Sequence, residues 1–244
     1  MGLHDEKYEI QRAVLTIIGR LSSSIPGVVT NAVRQLILDL LRSLEYSKES
    51  TTIINSVKLL GLAIHSTSNL IEAYVNPVFE LLVNRLSQIQ QGISFIHSFI
   101  HSLNISFVES IRIAFIDTLS LLSEVGTPAL KKYYDILMPI IIDSLKHNNE
   151  LREAALGLLN SYSYCTGYVI QPYLQYSSLM SLLLNQHNKG GNASYTLNDR
   201  VMQSIGVLGA IDPFVYNNAM YAFLFSLSKP IEISFEKSLL RNLF

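Results

Sequence analysis

No tryptophan occurs in this chain, and its one cysteine, Cys165, has no second thiol with which to close an internal disulfide. A disulfide-stapled scaffold is excluded, and the thiol usage fits a reducing compartment. Charge is scarce too. Asp, Glu, Lys and Arg make up 15% of the 244 residues and hydrophobic residues 49%, against roughly 25% charge in an average soluble domain. So apolar a chain has ample surface to bury and is not disordered. The net charge of −1 offers no basic face of the kind that nucleic acid demands. Long apolar runs are missing as well. The best stretches, 136–142 and 219–227, fall far short of the ~18 residues that a membrane span needs. The polar, acidic residues 1–9 do not read as a secretory signal. Asn104-Ile105-Ser106 and Asn192-Ala193-Ser194 match the glycosylation acceptor pattern. That pattern is short enough to arise by chance, and no export signal accompanies it.

What the chain does have is repetition. Residues 15–21 (LTIIGRL) and 57–63 (VKLLGLA) each place a glycine late in an apolar helical run. Gly19 and Gly61 lie 42 residues apart, inside the roughly 40–47-residue period of HEAT-type hairpins. The expected fold is all-α, an α-solenoid of such hairpins, whose function is surface presentation rather than pocket chemistry.

The first hairpin starts near Glu6, with Tyr8, Ile10, Ala13, Val14, Ile17, Ile18 and Leu21 at helical spacing. Serines 22–24 and Pro26-Gly27 break it, and a return helix covers about 28–44. In the second hairpin Ser50 or Thr51 is the expected N-cap, 66–69 the turn and 70–86 the second helix. Pro77 predicts a kink there, or a helix that begins just before it. Residues 87–104 break the register and read as an insertion or a short extra helix. The third hairpin takes 107–124 and 129–146, and the fourth 149–164 and 169–185 with a turn at Thr166-Gly167. Residues 186–194 are a loop by composition, and a fifth first helix spans about 197–210. The domain reading is therefore 1–213 as an array of about five hairpins, with 214–244 as an atypical apolar tail, as from a mis-ended gene product. With no polar cap at either end, the chain is expected to be a piece of a longer array. The late position of the first helices holds Gly19, Gly61, Leu119, Asn160 and Gly206. Four of these five are small or polar, which predicts a close crossing of first and second helices there.

Four stretches resemble a known family in order and spacing: 5–21 (DEKYEIQRAVLTIIGRL, continuing to Pro26), 70–86 (LIEAYVNPVFELLVNRL), 166–173 (TGYVIQPY) and 206–213 (GVLGAIDP). The family is that of the target of rapamycin (TOR) serine/threonine kinases, in the middle of its N-terminal HEAT region and well before its FAT and kinase domains. The resemblance covers about 5–213 and is expected to stop at Pro213, and 89–104 is longer and more apolar than the family's loop. It implies a scaffold segment that contacts a Raptor-type adaptor and other TOR-complex subunits in a dimeric assembly coupling nutrient state to growth. It also implies a cytoplasmic setting, with endomembranes reached through the complex and the nucleus open. The alternative is a stand-alone HEAT adaptor of transport-receptor or phosphatase-scaffold type.

Chemistry of its own is not expected. The Gly-rich loop, strand lysine and catalytic and metal-binding aspartates of a protein kinase are not found. Lys189-Gly190-Gly191-Asn192 reads as linker. His97 and His101 share a helix face, but Ser98 follows where the zinc-protease pattern needs glutamate, and no third ligand is evident. Cys165, among Tyr162, Tyr164 and Tyr168, reads as a buried structural thiol. Asp5-Glu6 and Glu150 suit helix starts. Lys131, Lys132 and Arg152 read as solvated helix ends. No catalytic, cofactor or metal residue is assigned. The dense tyrosines 133, 134, 162, 164, 168, 173 and 176 are mostly core at such spacing, although tyrosine is also frequent in interface hot spots. The candidate protein-contact patch is Lys131, Lys132, Tyr134, Tyr164, Tyr168 and Tyr173.

Overall fold

A computed structural model describes residues 7–47, 49–97, 105–188 and 195–208, and every regular element among them is helical. The first hairpin is α1 (Tyr8–Ser24) and α2 (Pro26–Tyr46), the second α3 (Ser50–Ser66) and α4 (Ser68–His97). Then come α5 (Ile105–Glu124), a 3-10 turn (Pro128–Tyr133) and α6 (Tyr134–Ser144). The fourth hairpin is α7 (Asn149–Thr166) with α8 (Gln171–Gln175) and α9 (Ser178–Asn188), and α10 (Tyr195–Val207) follows. By internal packing Met1–Gly209 is one unit and Ala210–Phe244 another. The tail 214–244 lies outside the described residues. No helix of the described residues is long and apolar enough to cross a membrane.

The packing order is that of a solenoid. First helices α1, α3, α5, α7 and α10 each touch the next, while α2, α4, α6 and α9 pack behind them. On α1 the inner face is Leu15, Ile18 and Ser22; on α2 it is Val29, Val33, Leu36, Ile37, Leu40 and Leu44. These three- and four-residue steps are one face of a helix, and they close a single core.

Local chemistry shifts several boundaries from those the sequence suggests. Pro26 is the first residue of α2, where its missing N–H costs nothing, so it opens the return helix instead of filling the turn. Glu49, rather than Ser50 or Thr51, precedes α3, and its carboxylate accepts from the hydroxyls of Thr51 (2.6 Å) and Thr52 (2.9 Å). The helix α4 runs through Pro77 for 30 residues. A mid-helix proline costs about 3 kcal/mol, offset here by burial of Val75, Val78, Phe79, Leu82 and Val83 on either side of it. Residues 87–97 of the expected insertion are thus the last turns of α4, and 98–104 lie outside the described residues. The second helices of the later hairpins are broken rather than continuous. Pro128 opens a 3-10 turn and Tyr133 (φ −93°, ψ 1°) separates it from α6. Gly167 (φ 72°) ends α7, and Tyr176 (φ −122°, ψ 79°) divides α8 from α9. At the start of α7 the Asn148 side chain accepts from the Leu151 amide at 2.9 Å.

The close approaches lie between successive first helices, not between the two helices of one hairpin. A Cβ on Gly19 would sit 2.7 Å from Ser66 Cβ on α3, and one on Gly61 would sit 2.8 Å from Thr118 Cγ2 on α5. On α7 the tight glycine is Gly157, crossed by the Arg200 guanidinium from α10, while Gly206 faces open space. One buried charge ties the layers. Arg112, 3% exposed, donates to Asp143 (2.9 Å) and Ser144 (3.1 Å), and Gln90 of α4 donates to the same Asp143 oxygen (3.1 Å).

Candidate protein-contact surface

Two intra-hairpin turns meet at one edge of the array. The 3-10 turn brings Lys131 and Lys132 to it, and the turn after α7 brings Tyr168. The Lys131 ammonium stands 5.2 Å from the centre of the Tyr168 ring, and that ring meets Tyr134 edge-on at 4.9 Å and 76°. Lys132 lies 4.8 Å from the Tyr133 ring and 3.5 Å from the Glu80 carboxylate. The Tyr133 hydroxyl donates to the same carboxylate oxygen at 2.8 Å. Glu80 is held below the usual carboxylate range, first by that hydroxyl and then by Lys132. The hydrogen bond with Tyr133 pushes Lys132 up.

Beneath this edge lies the aromatic core. Phe79 packs against Tyr133 at 5.3 Å and Tyr162 at 6.3 Å, and the Tyr162 hydroxyl donates to the Leu130 carbonyl at 2.8 Å. Burial raises the Tyr162 and Tyr134 hydroxyls above their ordinary range. Tyr134 is 5% exposed and its hydroxyl has no partner among the described residues. It therefore supports Tyr168 from below and offers no surface of its own. Tyr173 is half-buried, its hydroxyl without a partner among the described residues, and Tyr164, on the last turn of α7, is 86% exposed. Of the six predicted residues, Lys131, Tyr168 and Tyr134 form one group and Lys132 a second with Tyr133 and Glu80.

Arg152 does not join the lysines. It donates to the carbonyls of Leu145 (3.1 Å) and His147 (2.6 Å), closing the end of α6. Cys165 is half-buried, and desolvation pushes its thiol up. The His97 and His101 side chains, Asp5-Glu6 and 189–192 lie outside the described residues. Among the described residues no three of His, Cys, Asp and Glu gather to hold a metal. The sequence reading missed Glu80 and the exposed Ile136, Ile170 and Leu174 on α6 and around α8. Pro172, at the start of α8, was an available signal that a helix begins there and not at 169. A surface of ammonium, phenol and aliphatic groups suits protein contact.

Comparison with known proteins bears on what such a surface serves. The chain is 30% identical over 218 residues to "Serine/threonine-protein kinase TOR" of Oryza sativa subsp. japonica, covering 88% of this chain and 8% of that kinase. It is 31% identical over 217 residues to the kinase of the same name from Arabidopsis thaliana, with the same two shares. "Serine/threonine-protein kinase TOR2" of Saccharomyces cerevisiae is 31% identical over 216 residues, again 88% of this chain and 8% of the kinase. The family profile described as "Serine/threonine-protein kinase mTOR domain" matches residues 169–234. Over this segment the chain matches the TOR kinase family. The TOR resemblance runs past Pro213 to 234, contrary to the expected stop, and takes in Ile170, Tyr173 and Leu174. The chain spans only 8% of the length of these TOR relatives. Among solved structures, the karyopherin Kap121p, bound in that crystal to the extreme C-terminus of the protein phosphatase Cdc14p, superposes with TM-score 0.56 at 17% identity. That match covers 85% of this chain and 18% of the karyopherin, and it carries the α-solenoid fold alone.

Proposed function

We propose that this chain is a non-catalytic scaffold segment of a TOR-type kinase, with the α6–α8 edge as its protein contact. The observation that carries the reading is identity to TOR kinases across 88% of this chain but 8% of theirs, together with a two-layer helical array. An array of this kind acts by stiffness. Each hairpin is fixed by its neighbours, so partners bound at separated edges are held at a set distance. On this reading kinase activity belongs elsewhere in the larger protein, and the partners are a Raptor-type adaptor and other subunits of the complex. The setting we propose is cytoplasmic, with endomembranes reached through the complex.

The edge supplies recognition by ordinary interface physics. Tyr164 at 86% exposure and Leu174 at 65% are large side chains whose burial by a partner contributes affinity, while Lys131 at the rim sets orientation. Co-precipitation of a tagged Raptor-type adaptor with the kinase that carries this segment tests it. Tyr164→Ser with Leu174→Ser should cut recovery of the adaptor severalfold while the kinase level holds. Unchanged recovery with both substitutions would remove this edge from the adaptor contact.

A further inference from the structure

The length of α4 has a consequence beside the end of α2. This helix has 30 residues and α2 has 21, so α4 overhangs by ~14 Å at 1.5 Å per residue. The overhang leaves a step where α2 ends and α3 begins. A cavity of about 310 Å³ lies in that step, between α2, α3, α4 and α5. Its floor includes buried Phe115 and Leu44, and its walls are Ile53, Leu81, Ile89 and Ile111, which remain only half-buried although they pack on the core. On its rim stand an acid, Glu45, and a base, Arg85, both exposed. Among the described residues neither has an ion-pair or hydrogen-bond partner. The overhanging turn is held in place from behind, since Gln90 donates to Asp143, which also receives the buried Arg112.

We propose that this socket receives one large aliphatic side chain, leucine, isoleucine or methionine, from a short helical segment of a partner protein bearing one acid and one base beside it. Size and charge both select this occupant. At about 310 Å³ the cavity stands at the bottom of the ~300–1,000 Å³ range of ligand pockets, enough for a side chain or two rather than a cofactor. A guanidinium and a carboxylate on one rim, without partners among the described residues, attract a segment with both signs, in the order that places its acid on Arg85 and its base on Glu45. The unburied walls gain the hydrophobic contact that the α4 overhang denies them. The proposal rests on the scaffold reading and adds to it a second contact and the chemistry of its partner.

The test uses the full 244-residue chain with labelled methyl groups. The probes are two blocked peptides, Lys-Ala-Ala-Leu-Ala-Ala-Glu and its charge-swapped form Glu-Ala-Ala-Leu-Ala-Ala-Lys. One order should shift the methyl signals of Ile53, Leu81, Ile89 and Ile111 and bind at least about tenfold better than the other. Alanine in place of the peptide leucine should abolish the shifts. In the double variant Glu45→Lys with Arg85→Glu the preferred order should invert; both positions are exposed, so the fold is kept. No shift at millimolar peptide, equal shifts with the alanine peptide, or an order preference that the double variant leaves unchanged would each overturn the socket. Adaptor co-precipitation that survives such a failure would leave the scaffold reading standing.

Discussion

Replacing Gly61 by alanine probes the stacking of first helices directly. The added Cβ would lie 2.8 Å from Thr118 Cγ2 and 3.1 Å from Thr118 Oγ1, both below van der Waals contact. Thr118 is 1% exposed, and its hydroxyl donates to the Val57 carbonyl at 3.1 Å. That carbonyl is the one the Gly61 amide itself uses in the helix, four residues back. Thr118 is β-branched and stiff at χ1, so it cannot swing its methyl away and keep that bond. Alanine gains about 1 kcal/mol in helix propensity. Against this stand overpacking of about 1–3 kcal/mol and a weakened buried hydrogen bond of about 1 kcal/mol. The net is a loss of about 1–3 kcal/mol from these terms. Thr118→Ser removes the clashing methyl and keeps the hydroxyl, so the double variant should recover about 1 kcal/mol relative to additivity. Gly206→Ala, with nothing within 4 Å, is the control and should be neutral or stabilising by less than about 1 kcal/mol. Urea unfolding followed by helical circular dichroism reads all of these. Gly61→Ala behaving like Gly206→Ala, or showing no coupling to Thr118→Ser, would refute a close α3–α5 approach.

Other substitutions extend the account. Asp143→Ala leaves the 3%-exposed Arg112 charge with Ser144 as its remaining oxygen partner, and should cost about 3 kcal/mol in urea unfolding; adding Arg112→Met should return part of that loss. Tyr162→Phe strips the donor from the Leu130 carbonyl and should cost about 1–2 kcal/mol by the same assay. Glu80 has a lowered folded pKa, caused first by the Tyr133 hydroxyl. Its link therefore stabilises above the ordinary glutamate range, near ~4.3, and is lost as pH falls through the lowered value. Carboxyl NMR titration should place the Glu80 midpoint below that range and show it rising in Tyr133→Phe.

How far the sequence could be read differs by element, for physical reasons. The first helices were legible because Leu15, Ile18 and Ser22, or Val57, Leu60 and Ile64, each write a buried face at helical spacing. The continuity of α4 was not, because Pro77 is a strong local signal that tertiary burial on both sides outweighs. Gly19 and Gly61 marked close contacts and Gly206 did not, and whether the neighbour lay in the same hairpin or the next depends on how hairpins stack. Lysines 131 and 132 read as solvated helix ends, and the 3-10 turn that Pro128 opens holds them instead. Tyr134 reads both as core, like its neighbouring tyrosines, and as part of the contact patch, and spacing alone could not choose the buried outcome at the start of α6. The socket escaped notice because it arises from a length difference between α2 and α4, hidden while 87–97 reads as an insertion.

The central claim, that this array works as the scaffold of a much larger kinase, meets its most direct test in the size of the native protein. An antibody raised against residues 5–20 should detect, in whole-cell lysate, a species of several hundred kilodaltons that co-precipitates serine/threonine kinase activity, in keeping with a chain that spans 8% of its relatives. A sole species near 27.4 kDa, free of kinase activity, would contradict it.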